Sequence, residues 1–304
     1  MTSCDWNGKH FVLGNRPLGS GRSSNRWGDR CADNFCADRS SAFGDLGLVY
    51  CAKFYVLEHF ALPYSQGTRN DSFNFTSMKK YGAEFIGTFA LVFAGTGAII
   101  INDVSGGAVT HVGIALTFGL IVLAMIYTVG DISGAHLNPA VSLGFFAARR
   151  FPLREVMPYI ASQCGGALVA SGVLRLLFPQ NEMLGTTVPS GSAIQSFVLE
   201  LILTAILMFV ILNVSTGAAE KGITAGIAVG SVIGLEAMFA GPICGASMNP
   251  ARSLAPAVVS QNLSSLWIYL VAPTTGALLA VIACRCVREE GCCSTPFPGT
   301  TSPQ

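Results

Sequence analysis

From residue 81 onward the chain alternates long stretches free of charged side chains with short polar links. The uncharged runs cover 85–102, 104–130, 132–148, 156–174, 201–219 and 253–284. A helix needs about 20 apolar residues to cross the hydrocarbon core of a bilayer, and most of these runs reach or approach that length. The pattern predicts six membrane-spanning helices, at 81–101, 110–130, 156–178, 193–213, 222–240 and 266–284. Two apolar stretches of about ten residues, starting at Asn138 and Asn249, are left over and are too short to cross.

Composition agrees with the pattern. Over 304 residues, 51% are hydrophobic and 12% charged, far from the quarter or so of charged residues typical of soluble enzymes. The net charge is +1, which offers no basic face to nucleic acid. Residues 1–77 carry 8 Lys/Arg and 7 Asp/Glu, against 10 of each in all that follows. They show neither a helical nor an alternating period and read as a poorly ordered extension; their one apolar patch, 46–62, is broken by Lys53, Glu58 and His59. No basic start leads into an apolar stretch and a cleavage site, so no secretory signal is expected. Met78-Lys79-Lys80-Tyr81 opens directly onto the first span, and the extension is expected to be dispensable. The domain plan is therefore an extension at 1–77, a membrane-spanning domain at 78–286 and a tail at 287–304.

Positive charge sets the expected orientation. Arg149, Arg150 and Arg154 lie between spans two and three, Lys221 between four and five, and Lys79, Lys80, Arg285 and Arg288 at the ends. The links 102–109 and 179–192 have no Lys or Arg, although Arg175 at the far end of span three runs against the trend. By the positive-inside rule both termini are cytoplasmic. The expected setting for such a multi-pass protein is the plasma or cell membrane, a choice that the charge pattern does not fix.

The two short stretches are copies of each other: Ser-Gly-Ala-His-Leu-Asn-Pro-Ala-Val-Ser-Leu-Gly at 133–144 and Cys-Gly-Ala-Ser-Met-Asn-Pro-Ala-Arg-Ser-Leu-Ala at 244–255. Each follows the second span of a three-span set, and each set has a glutamate in its first span, Glu84 and Glu200. An odd number of spans per half forces the second half in upside down, an inverted repeat of about 80–178 and 193–286. Within each copy, Asn138 and Asn249 are predicted N-caps of short helices opening at Pro139-Ala140 and Pro250-Ala251. Entering from opposite faces, the two helix N-termini should meet near mid-bilayer. Each carries about half a positive charge, which repels cations and protonated water, while the asparagine amides can hold and orient a passing oxygen. The predicted activity is conduction of neutral solutes. The fold class is an all-α membrane protein with six transmembrane helices and two re-entrant half-helices.

These motifs resemble the aquaporin or major intrinsic protein family over about 80–286. Met125-Ile-Tyr-Thr-Val-Gly, Ala148-Arg-Arg-Phe-Pro152 and the stretch from Ala240 to Leu254 are most similar to nodulin-like intrinsic proteins and their bacterial relatives. The resemblance implies a homotetramer with one pore per subunit. It also implies a narrower filter built at fixed offsets from the motifs, which fall on Phe118, Ala237, Ala246 and Arg252. Water-selective members have His at the position of Ala237 and often Cys at that of Ala246, so two methyls imply a wider opening. Arg252 supplies fixed charge and donors, and Phe118 an apolar wall, unless it is a packing residue. Nodulin-like members often have Trp in place of Phe118 and a β-branched residue in place of Ala237. Glycerol, urea, ammonia, boric acid and arsenous acid therefore all remain open as solutes beside water. A strict water channel and a secondary transporter are the alternatives.

In the same way the resemblance implies that Glu84 and Glu200, expensive in an apolar span, brace the re-entrant loops through backbone N–H groups. His136 is expected to brace its loop rather than to sense pH. Glu236, without a counterpart in the first half, faces either a pore vestibule or a subunit contact, and Asp131 lies at the cytoplasmic side of its loop. Cys284, Cys286, Cys292 and Cys293 crowd the end of the chain at spacings that match no standard zinc pattern; a soft metal, palmitate and incidental thiols are the readings open. No Ser/His/Asp set, phosphate loop or histidine cluster is present, so neither enzyme activity nor a cofactor or metal is predicted.

Overall fold

The computed structural model describes residues 69–215 and 219–287. They form α1 Arg69–Val104, α2 Thr110–Ser133, α3 Pro139–Ala147, α4 Leu153–Leu177, α5 Ala193–Val214, α6 Ala219–Cys244, α7 Pro250–Ser260 and α8 Leu266–Val287, with no strand among the described residues. Six of these helices supply apolar spans of 21 to 28 residues. At about 1.5 Å per residue, 21 residues already cover a hydrocarbon core about 30 Å thick. The remaining two, α3 with 9 residues and α7 with 11, reach only part of the way.

The helices overrun the apolar runs, because a formed helix extends at little cost through polar residues that water or headgroups can solvate. One expectation is corrected on this ground. Residues 69–77, assigned to the poorly ordered extension, continue α1 as helix. The patch at 46–62, Cys292, Cys293 and the tail from 288 onward lie outside the described residues; Cys284 is buried and Cys286 exposed.

The packing follows the repeat. Helix α1 lies on α4 as α5 lies on α8, α1 on α2 as α5 on α6, and α2 meets α6 across the pseudo-symmetry axis. Each half-helix also packs on the third span of the other half, α3 on α8 and α7 on α4, so the repeats interlock. Close approach depends on missing side chains. A Cβ on Gly166 would collide with the Phe85 carbonyl oxygen, and one on Gly276 with that of Leu201, at equivalent places in the two halves. Between the halves, a Cβ on Gly119 would lie 2.6 Å from the Gly230 carbonyl oxygen. Small residues at such crossings bring backbones together where apolar lipid offers no hydrophobic drive.

Arg175, the cation that runs against the charge trend, has local partners. It donates to the carbonyls of Asn181 at 2.9 Å, and of Pro179 and Glu182 at 3.4 Å. It thus neutralises the orphan acceptors beyond the C-terminus of α4.

Candidate functional site

Each half-helix starts as its local chemistry dictates. Asn138 is extended (φ −159°, ψ 121°) and its Oδ1 accepts from the Ala140 N–H at 2.9 Å, with Pro139 at the first helical position. Asn249 repeats the cap, accepting from the N–H of Ala251 at 3.0 Å and of Arg252 at 3.3 Å. The loops leading in are strained alike. Ala135 and Leu137 have φ of 46° and 50°, Ala246 and Met248 of 40° and 52°, a left-handed region costing side-chain-bearing residues roughly 1–2 kcal/mol each.

Two buried carboxylates hold that strain in place. Glu84 accepts from the N–H of His136 (2.9 Å) and Leu137 (2.7 Å), from Ser133 Oγ (2.7 Å) and from Gln163 Nε2 (2.7 Å). Glu200 accepts from the N–H of Ser247 (2.7 Å) and Met248 (2.8 Å). Two tyrosines complete the bracing. The Tyr159 hydroxyl donates to the Ser133 carbonyl and that of Tyr269 to the Cys244 carbonyl, both at 2.8 Å. Sequence reasoning missed the tyrosines and Gln163, although Tyr159 and Tyr269 stand 110 residues apart, almost the 111 that separates the two asparagines. His136 is a brace too: its Nδ1 lies 3.0 Å from Ser142 Oγ, and its ring packs on Phe145, Phe151 and Tyr159.

The two tips are tied to each other. Asn138 Nδ2 donates to the Met248 carbonyl at 2.7 Å and Asn249 Nδ2 to the Leu137 carbonyl at 2.8 Å. An amide nitrogen has two hydrogens, so each asparagine keeps one for another acceptor. Both border a single cavity, walled otherwise mainly by apolar side chains including Val122, Ile126, Leu207 and Val229, which also reaches Phe118, Ala246 and Arg252. Ala237 is buried and does not border that cavity; Ile233, one turn earlier on α6, does.

Arg252 is 2% exposed, a burial that demands partners. Its guanidinium donates to the Gly185 carbonyl at 3.0 Å and lies 5.2 Å from the centre of the Phe118 ring, within cation–π range. Gly185 belongs to the link between α4 and α5, which docks on α7 through Thr187 to Ser253 (2.8 Å) and Thr186 to Ser260 (2.9 Å). That contribution had no signal in the sequence. Glu236 is 1% exposed, neither oxygen has a hydrogen-bond partner among the described residues, and it is not among the residues that line this cavity. Among the described residues, no three His, Cys, Asp or Glu side chains converge as metal ligands would.

Paired re-entrant helices on six spans are matched by a family model. The model described as Major intrinsic protein covers residues 71–284. The chain belongs to the major intrinsic protein family. Aquaporin NIP1-1 of Oryza sativa subsp. japonica is 48% identical over 218 residues, 71% of this chain and 77% of that protein. Nodulin-26 of Glycine max is 46% identical over 212 residues, 69% and 78% of the two chains. The X-ray structure of the aquaglyceroporin from Plasmodium falciparum superposes with a TM-score of 0.60 at 29% identity, covering 68% of this chain and 94% of that one. The nodulin-like likeness read from the motifs holds, and this member of the family is a multi-pass membrane protein of the aquaporin type.

Proposed function

We propose that the chain is a passive pore for water and small uncharged solutes, in the class of glycerol, urea and undissociated boric or arsenous acid. The observation that carries this reading is the single cavity bordered at once by both cap asparagines and by Phe118, Ala246 and Arg252. A solute oxygen at mid-membrane meets two helix N-termini and the spare amide hydrogens of Asn138 and Asn249. The positive ends of α3 and α7 oppose a cation or hydronium there, and an oxygen held from two sides cannot pass a proton along a water chain. At Phe118 and Arg252 the solute must shed water against one apolar and one donor-rich wall. Ala246 brings only a methyl to that gap, and Ala237, buried outside the cavity wall, brings no polar side chain to narrow it, which favours a solute as large as a polyol.

In this reading both termini are cytoplasmic, the assembly is a homotetramer in the plasma or cell membrane, and 78–286 is the conducting domain. Stopped-flow measurements on reconstituted vesicles test it. Water, glycerol, urea and boric acid should each equilibrate faster than through empty vesicles, with flux linear in gradient and a low activation energy. Passage of water alone would overturn the broad filter, and saturation at low solute concentration would favour a transporter.

A further inference from the structure

Helix α6 carries a proline, Pro242, that removes the backbone N–H otherwise due to the carbonyl of Met238 four residues earlier. A side chain from another helix stands at that carbonyl. His111, in the first turn of α2, places Nε2 2.8 Å from the Met238 oxygen. A carbonyl only accepts, so Nε2 carries the hydrogen and donates. The ring also has space made for it: a Cβ on Gly241 would lie 2.9 Å from His111 Cε1.

The location gives this bond its significance. Met238 follows Ala237 directly, and Phe118 lies two turns beyond His111 on α2. Deeper along the same crossing, the Gly119–Gly230 approach sets the distance between α2 and α6. The stretch of α2 and α6 that bears Phe118 and Ala237 is therefore pinned at both ends, by bare backbone at one and by His111 at the other. We infer that His111 is a positioning residue for the solute filter, donating to Met238 in place of the N–H that Pro242 lacks.

The inference rests on the filter reading above and deepens it. Without the bond α6 is no longer tied to α2 at the level of Met238, although Tyr269 still holds its last carbonyl at Cys244, and the gap beside Phe118 widens. His111→Leu should raise the glycerol-to-water permeability ratio about threefold or more, the scale set by one neutral hydrogen bond. His111→Gln, which keeps a donor, should restore the original ratio, and Gly241→Ala, which evicts the ring, should reproduce the leucine variant. Pro242→Ala returns an N–H to Met238, so in that background His111→Leu should change neither the ratio nor the thermal unfolding midpoint, though it lowers that midpoint in the parent. An equal shift in both backgrounds, or coupling in unfolding with none in permeation, would overturn the positioning role. A parent chain that passes water but no glycerol would overturn the solute reading instead, and the same cycle read in water permeability and unfolding still decides the role of His111.

Discussion

At the scale of single residues, the most demanding positions are the two carboxylates in the span interiors. Each is tolerable because it accepts backbone N–H groups that the strained loops leave unpaired, so carboxylate and loop stabilise one another. Glu84→Ala should orphan the N–H groups of His136 and Leu137 at about 1–3 kcal/mol each. The expected result is a clearly lower unfolding temperature in detergent together with lost permeability; an unchanged melting curve would count against the bracing role. The filter allows a complementary test. Ala237→His puts an imidazole where the chain has a methyl, and glycerol flux should fall relative to water flux. Equal glycerol flux in the variant would show that this side chain stays clear of the solute path, as its absence from the cavity wall in the parent would then imply.

At the scale of helices, packing turns on where a side chain is missing. Gly119→Ala forces a methyl to within 2.6 Å of the Gly230 carbonyl oxygen, and backbone cannot step aside as a flexible side chain would. Overpacking of this kind costs about 1–3 kcal/mol, and thermal unfolding should register it. Gly172 on α4 is the control. A Cβ there meets nothing within 4 Å, so Gly172→Ala should leave stability level or raise it by up to about 1 kcal/mol through helix propensity. Equal losses at both sites would show that close approach is not what selects glycine at Gly119.

At the scale of the whole molecule, two half-helices that are each too short to cross meet tip to tip beside one cavity. The cross-bonds from Asn138 to Met248 and from Asn249 to Leu137 make that meeting a joint property of both repeats. The assembly should conduct no protons, and a pH gradient across reconstituted vesicles should decay no faster than across empty ones. The family model begins at residue 71 and α1 at Arg69, so a chain started at Met78 keeps the apolar span from Ser77 nearly whole. It should insert and conduct; failure to do so would give the preceding segment a role in the channel.

The spans, the half-helix starts and the matching acids were legible in the sequence because each depends on neighbours along the chain. Twenty uncharged residues make a span whatever surrounds them, and an asparagine before a proline caps a helix by its own side chain. The bonds that join residues 67 to 127 positions apart were set only by tertiary structure: Gln163 on Glu84, Gly185 on Arg252, His111 on Met238, and each asparagine on the opposite loop. Their partners are mostly backbone carbonyls or carboxylate oxygens, and every residue has a carbonyl, so nothing in the residue types marks which one will be met. The burial of Glu236 was hidden for the same reason. Helical spacing says which side of α6 it occupies, but only the arrangement of the neighbouring helices decides whether that side meets lipid, the pore or the interior.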